Sequence, residues 1–214
     1  MTKIIGLCGS PRKGATEYFL QYALDYIKKM DSSIETDLIL LRDKNIKYCN
    51  HCYRCGGDTE NPIDYCIHDG NDDMDSLIER FIDGHGYIIA SPVCYANMSG
   101  KLKTFMDRTK TRCFGLNKGF RHKFRVGGSM AIGGVRHGGQ ESTLSSINNF
   151  LLSYGFMLTS GEACSVQATG NYLGASIWVQ DLKPPFEDEV GIKRVEMLAK
   201  RIAETSIMIS KFND

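Results

Sequence analysis

Half of the chain's eight cysteines fall in one short run, CNHCYRCGGDTENPIDYC, at residues 49–66. Cys49, Cys52 and Cys55 are each separated by two residues, so one tight loop can turn three thiolates toward one centre, with Cys66 as a fourth. That spacing suits the irons of a cubane cluster. Four-cysteine zinc tetrahedra also begin with two cysteines two residues apart, but structural zinc sites usually pair two such knuckles, so the spacing favours iron-sulfur and keeps zinc as the competitor. Residues 56–65, GGDTENPIDY, read as a surface loop able to return the chain to Cys66. His51 and His68 are alternative ligands close by.

A second stretch, GSPRKGAT at residues 9–16, falls one residue short of the G-x-x-x-x-G-K-[ST] phosphate loop. Ala15 stands where the lysine would reach the outer phosphates of a nucleoside triphosphate, which argues against NTP hydrolysis. What survives is a turn of small residues opening a helix, with hydroxyls on Ser10 and Thr16 and a charge on Arg12. Such a turn can cradle one terminal phosphate, although a plain glycine turn has the same composition. Two more segments of unusual composition are SPVCYANMSGKLKTFMDR at residues 91–108 and GGVRHGGQE at residues 133–141.

The elements that must position these residues follow from periodicity. Residues 4–8 form a short apolar run, and residues 16–30 carry Phe19, Leu20, Ala23, Leu24 and Ile27 at helical spacing. Residues 34–41 read as a second strand, with the cysteine loop at 47–70 hanging from its end. NDDMDSLIERFID, residues 71–83, opens with acids suited to a helix N-terminus and aligns Met74, Leu77, Ile78 and Phe81. Residues 86–92 predict a third strand, 100–109 a helix, 124–134 a fourth strand, 140–154 a helix and 156–161 a fifth strand. Residues 164–188 show no clear period and read as a lid, a partner contact or an undetected element. Val190, Val195, Leu198, Ile202 and Ile207 mark a last amphipathic helix within 188–212. Strands alternating with helices predict an α/β, doubly wound parallel sheet of five strands. The three marked loops then share its carboxyl edge, where open sheets of this kind bind ligands.

Taken together, the loops after strands one, three and four resemble those of the flavodoxin-like NAD(P)H-dependent FMN reductases. The cysteine run before NDDM resembles the iron-sulfur flavoproteins of anaerobic archaea and bacteria. The resemblance covers about residues 3–160 and implies the flavodoxin-like strand order 2-1-3-4-5, with the cysteine loop inserted after strand two on the flavin's edge. It implies FMN, the phosphate among Ser10, Arg12, Gly14, Ala15, Thr16 and Glu17 and the ring against Pro92, Val93, Tyr95, Asn97 and Met98. Gly133, Gly134, Gly138 and Gly139 would bring backbone N–H groups to the ring edge. Arg136 would either stabilise reduced flavin or be a surface cation, and His137 reads as a surface or packing residue. The resemblance also implies a 4Fe-4S cluster on Cys49, Cys52, Cys55 and Cys66. The gap before Cys66 is longer than the family's usual one.

The activity so implied is that of an FMN-dependent oxidoreductase. Electrons would pass between a one-electron donor such as ferredoxin and a small acceptor such as a quinone, oxygen or peroxide. With zinc in place of the cluster, the reading becomes an NAD(P)H-dependent FMN or quinone reductase. Since no G-x-G-x-x-G follows a strand, a nicotinamide would have to stack on bound flavin. A third reading is a colourless contact protein stapled by zinc. The family also implies a homo-oligomer, dimer or tetramer, in which the cluster approaches a neighbour's flavin.

Composition bounds the rest. With 26 basic and 25 acidic side chains in 214 residues, no net field favours nucleic acid or an anionic membrane. Neither a secretory signal nor a membrane helix is legible, so the expected setting is cytoplasmic, where clustered thiols stay reduced. The length suits one domain spanning 1–214, closed by the 164–214 loop and helix. Cys8 reads as core and Cys94 as packed within the ring loop, while Cys113 and Cys164 carry no assigned role.

Overall fold

The computed structural model describes residues 1–52, 55, 66–68, 70–110, 124–161, 172–180 and 187–213. Its elements in chain order are β1 (Lys3–Cys8), α1 (Ala15–Met30), β2 (Glu35–Leu40), α2 (Met74–Phe81), β3 (Gly86–Pro92) and α3 (Gly100–Arg108). They continue as β4 (Val126–Gly133), α4 (Gln140–Ser153), β5 (Met157–Leu158), β6 (Ala175–Trp178) and α5 (Glu189–Asn213).

All the strands pair in parallel, in the order β2-β1-β3-β4-β5, with β6 also on β4. The central strands are buried almost end to end because both faces are covered. Successive side chains divide between the faces, as the period of two requires. Ile4 and Ile88 join Phe19, Leu20, Leu24 and Ile27 of α1 and Val195, Leu198 and Ile202 of α5 in one core. Ile5, Tyr87 and Ile89 join Phe81 of α2, Leu102 and Phe105 of α3, and Ile147 and Leu151 of α4 in the other. Each fully buried side chain of this kind contributes about 1.5–3 kcal/mol.

The expected order 2-1-3-4-5 is present, and one strand differs. The fifth strand shrinks to Met157 and Leu158, both exposed and paired with Val126 and Gly127. The farther half of β4 is covered instead by β6, whose Ala175 to Trp178 pair with Met130 to Gly133. ASIW alternates buried Ala175 and Ile177 with half-buried Ser176 and Trp178, but four residues are too short a run to announce a strand. Helix α2 is also shorter than expected, since Asp72 and Asp73 use their carboxylates outside it. Among the described residues no helix is long and apolar enough to cross a membrane.

Candidate functional site

Three loops leave the carboxyl ends of β1, β3 and β4, at residues 9–14, 93–99 and 134–139, and the structure ties them to one another. The Gly9 N–H donates to the Ala90 carbonyl at 2.8 Å, and the Gly9 carbonyl accepts from Ser99 Oγ. A Cβ at Gly9 would stand 2.6 Å from Leu102 Cβ, so only glycine lets the first loop lie against α3. The Ser99 hydroxyl also accepts from the Leu102 N–H at 3.1 Å, which caps α3.

Helices α1 and α4 begin differently. Their N-cap residues, Gly14 and Gly139, supply no side-chain cap. The first-turn N–H groups of both helices therefore open toward the sheet's carboxyl edge, with the positive helix ends behind them. Beside α1, Ser10 and Thr16 are buried, and Ser10 Oγ closes the turn by donating to the Arg12 carbonyl at 2.7 Å. Arg12 and Lys13 are exposed next to it. An open helix start, small residues and two cations make an anion cradle.

The loop after β3 is a two-residue hairpin turn. Cys94 and Asn97 exchange backbone hydrogen bonds of 2.8 and 3.0 Å, with Tyr95 and Ala96 between them at φ 47 and 59°. Each non-glycine residue in that region costs about 1–2 kcal/mol, and the neighbouring loop carries the strain. Gly139, at φ +107°, approaches so closely that a Cβ there would lie 2.4 Å from Ala96 Cα. Ser142 Oγ donates to the Ala96 carbonyl. The result is a fully exposed Tyr95 at the turn's tip, with Met98 buried and its N–H donating to Asn97 Oδ1 at 2.8 Å. Pro92 ends β3, and the Val93 N–H donates to the Ile132 carbonyl at 2.9 Å.

After β2 the chain runs beside α3. Lys101 in the first turn of α3 donates through Nζ to the Lys44 carbonyl, and Arg108 at its end donates through Nη1 to the Lys47 carbonyl at 2.8 Å. The cysteine loop thus begins near the far end of α3, after the chain has descended from the carboxyl edge. Cys49, Cys55 and Cys66 are half-buried and Cys52 exposed. Cys49 Sγ accepts from the His51 N–H at 3.4 Å. Among the described residues, no three His, Cys, Asp or Glu side chains form a group that could hold an ion. Among the described residues, His68 Nε2 is buried with no hydrogen-bond partner.

Comparison with known proteins decides the family. Residues 2–170 match the model of the NADPH-dependent FMN reductases. An iron-sulfur flavoprotein of Methanocaldococcus jannaschii is 32% identical over 213 residues, 98% of this chain and 100% of that one. The iron-sulfur flavoprotein of Methanosarcina thermophila is also 32% identical over 213 residues, 99% of each. The chain belongs to the NADPH-dependent FMN reductase family, among its iron-sulfur flavoproteins. Solved structures agree on the fold: a WrbA-like flavodoxin from Agrobacterium tumefaciens superposes with TM-score 0.61 at 11% identity, covering 98% of this chain and 99% of that one. The azoreductase AzrA gives 0.63 at 11% identity over 95% and 100%.

Against the expectations for this family, most site residues fall on the three tied loops, and a few point elsewhere. The Glu17 carboxylate is paired with Arg42 Nε at 3.0 Å, joining α1 to the chain leaving β2. The Gly138 N–H is taken by the Val135 carbonyl at 3.1 Å rather than offered to a ring edge. Gly133 sits at the end of β4, its carbonyl accepting from the Val179 N–H at 2.9 Å, and Gly134 follows it. The Arg136 guanidinium lies over the Trp178 ring, 4.2 Å from its centroid. Together they line a cavity of about 390 Å³ with Gln140, Ser176, Asp188 and Arg194. Gln140 donates to the Val135 carbonyl at 2.7 Å, while its buried Oε1 has no partner among the described residues. Trp178 escaped the sequence reading because it lies on β6, in the segment without a period. His137 is exposed at φ 56°.

The other cysteines also separate. Cys8 is buried in β1 as expected, and burial pushes its thiol up to about 11. Cys94 is exposed rather than packed, because the turn carries it outward. Cys113 and Cys164 lie outside the described residues.

Proposed function

We propose that the protein is an iron-sulfur flavoprotein, an FMN-dependent oxidoreductase that passes electrons between a one-electron donor of the ferredoxin class and a small acceptor. The observation that carries the flavin is the uncapped start of α1, bordered by Ser10, Thr16 and Arg12 on the same edge as the strained Tyr95 turn. Those residues fit a terminal phosphate and a planar ring, and the four thiols of Cys49, Cys52, Cys55 and Cys66 fit a 4Fe-4S cluster by their chemistry. When bound, FMN supplies two-electron storage and the cluster one-electron steps.

The chain's own residues bind, orient and shield. Main-chain N–H groups at 14–16 and the Arg12 guanidinium hold the phosphate, and the Ser10 hydroxyl keeps that turn closed. Pro92, Val93, Asn97 and Met98 would border the ring, beside the exposed Tyr95. Arg136 sets positive charge near the loop after β4. No acid-base side chain is required, since the protein's part is position and electrostatics. We place the chain in one domain over 1–214, acting as a homo-oligomer of two or four copies.

Anaerobic purification, a visible spectrum and analysis of iron, sulfide, zinc and FMN test this reading. About four irons, four sulfides and one FMN per chain support it. One zinc with FMN and no sulfide would leave a plain NAD(P)H-dependent flavin or quinone reductase, and a colourless protein would remove the flavin as well.

A further inference from the structure

The loop that carries the four cysteines is closed at its base by a neck that contains none of them. The Asp73 N–H donates to the Asn45 carbonyl at 2.9 Å, and the Asn45 N–H donates to Asp73 Oδ2 at 2.7 Å. Two residues farther along, the Lys47 N–H donates to Asp72 Oδ2 at 3.0 Å. The Lys47 carbonyl accepts from Arg108 Nη1 at 2.8 Å, and the same nitrogen reaches Asp72 Oδ2 at 2.7 Å. Asp72 Oδ1 accepts from the Met74 N–H at 3.1 Å, which joins the neck to the start of α2.

Both charged side chains are sealed from water, with 1% of Arg108 and none of Asp72 exposed. A buried ion pair is weak evidence for stability, because well-packed apolar residues often serve as well or better. This one does something apolar residues cannot: each partner also grips the main chain where the cysteine loop begins. Lys47 stands two residues before Cys49, and on the returning limb the Asn71 N–H donates to the His68 carbonyl at 3.0 Å, just after Cys66.

We propose that Asp72 and Arg108 are positioning residues for the cluster, locking the mouth of the 48–71 loop so that its cysteines are presented from a fixed base before metal arrives. This rests on the reading of Cys49, Cys52, Cys55 and Cys66 as cluster ligands. The pair belongs to none of the three loops assigned to flavin, so cluster retention and flavin binding are separately controlled.

The test compares wild type with D72L/R108M and with R108K, all prepared anaerobically. The double change removes both charges at once and avoids leaving one buried and unpaired. It is expected to keep FMN content near wild type at a lowered thermal midpoint, because the Lys47 and Met74 N–H groups and the Lys47 carbonyl lose their partners, while a ferrous chelator strips iron about tenfold faster, the scale of lost outer-shell support. The electron paramagnetic resonance spectrum of the reduced protein shifts or broadens, and R108K falls between the two. In metal-free protein, limited proteolysis within 48–71 is faster in the double variant. Wild-type iron release, spectrum and proteolysis in that variant would overturn the inference and leave the cluster reading standing. A wild-type protein with FMN but neither iron nor sulfide would overturn both.

Discussion

Ser99 Oγ donates to the Gly9 carbonyl across 90 residues of sequence and accepts from the Leu102 N–H, so one hydroxyl joins two ligand loops and caps a helix. Removing it in S99A loses a cap worth about 0.5–2 kcal/mol and leaves a buried carbonyl unpaired at about 1–3 kcal/mol. At about 2–4 °C per kcal/mol for a chain of this size, the expected fall in thermal midpoint is about 3–20 °C, read by calorimetry. A change under about 1 °C would mean that the loops are held together without it.

Gly139 is the point at which the turn carrying Tyr95 is pinned. G139A forces a side chain into φ +107° and against Ala96 Cα, so the turn must move. The strain alone is of order 1–3 kcal/mol. Fluorescence titration of apoprotein should show FMN affinity reduced about tenfold or more, the equivalent of ~1.4 kcal/mol. Unchanged affinity would remove the turn from the flavin site.

Stacking between Arg136 and Trp178 is exposed and worth about 0.5–1 kcal/mol, so R136M should barely change stability. Its consequence is electrostatic. If the guanidinium stabilises reduced flavin, R136M lowers the two-electron midpoint potential by about 30 mV, matching ~1.4 kcal/mol. Spectroelectrochemical titration separates this from a surface cation, which leaves the potential where it was.

The cysteines outside the cluster run offer a chemical contrast. Burial pushes the Cys8 thiol up to about 11, so at pH 8 it is both shielded and protonated. Cys94 is exposed. Iodoacetamide followed by peptide mass analysis should label Cys94 and spare Cys8 until the chain unfolds. Equal labelling would contradict the packing of β1.

Tyr22 on α1 donates to Glu196 Oε1 on α5 at 2.5 Å, and this bond, ahead of burial, raises the phenol to about 12. The unfolded phenol ionises near 10, so the stabilisation is fully present below that pH and is lost as pH rises toward 12. The difference in thermal midpoint between wild type and Y22F should therefore shrink across pH 10–12. A constant difference would show that the hydroxyl is not coupled to the carboxylate.

Much of this was legible because period and turn chemistry speak directly. Phe19, Leu20, Leu24 and Ile27 announce α1, and the glycines at 9 and 14 announce the loop before it. The cysteine run narrows its chemistry by spacing to iron-sulfur, with zinc as the competitor. What stayed hidden depends on long-range pairing. The Glu17–Arg42 pair joins α1 to the chain after β2, and Asp72 reads as helix-start acid until Arg108 arrives from α3. Trp178 carries no periodic signal, since its place is fixed by the register of β4.

The outer edge of β4 is covered in two instalments, Val126 and Gly127 by β5 and Met130 to Gly133 by β6. Each piece finds its own register, and the described ends of the connection are tied down as well: the Thr159 N–H donates to the Gly127 carbonyl at 3.0 Å, and the Leu173 carbonyl accepts from Ser129 Oγ and Asn148 Nδ2. The last edge of the sheet is therefore closed by two separate partners, so opening one leaves the hydrogen bonds of the other to β4 in place.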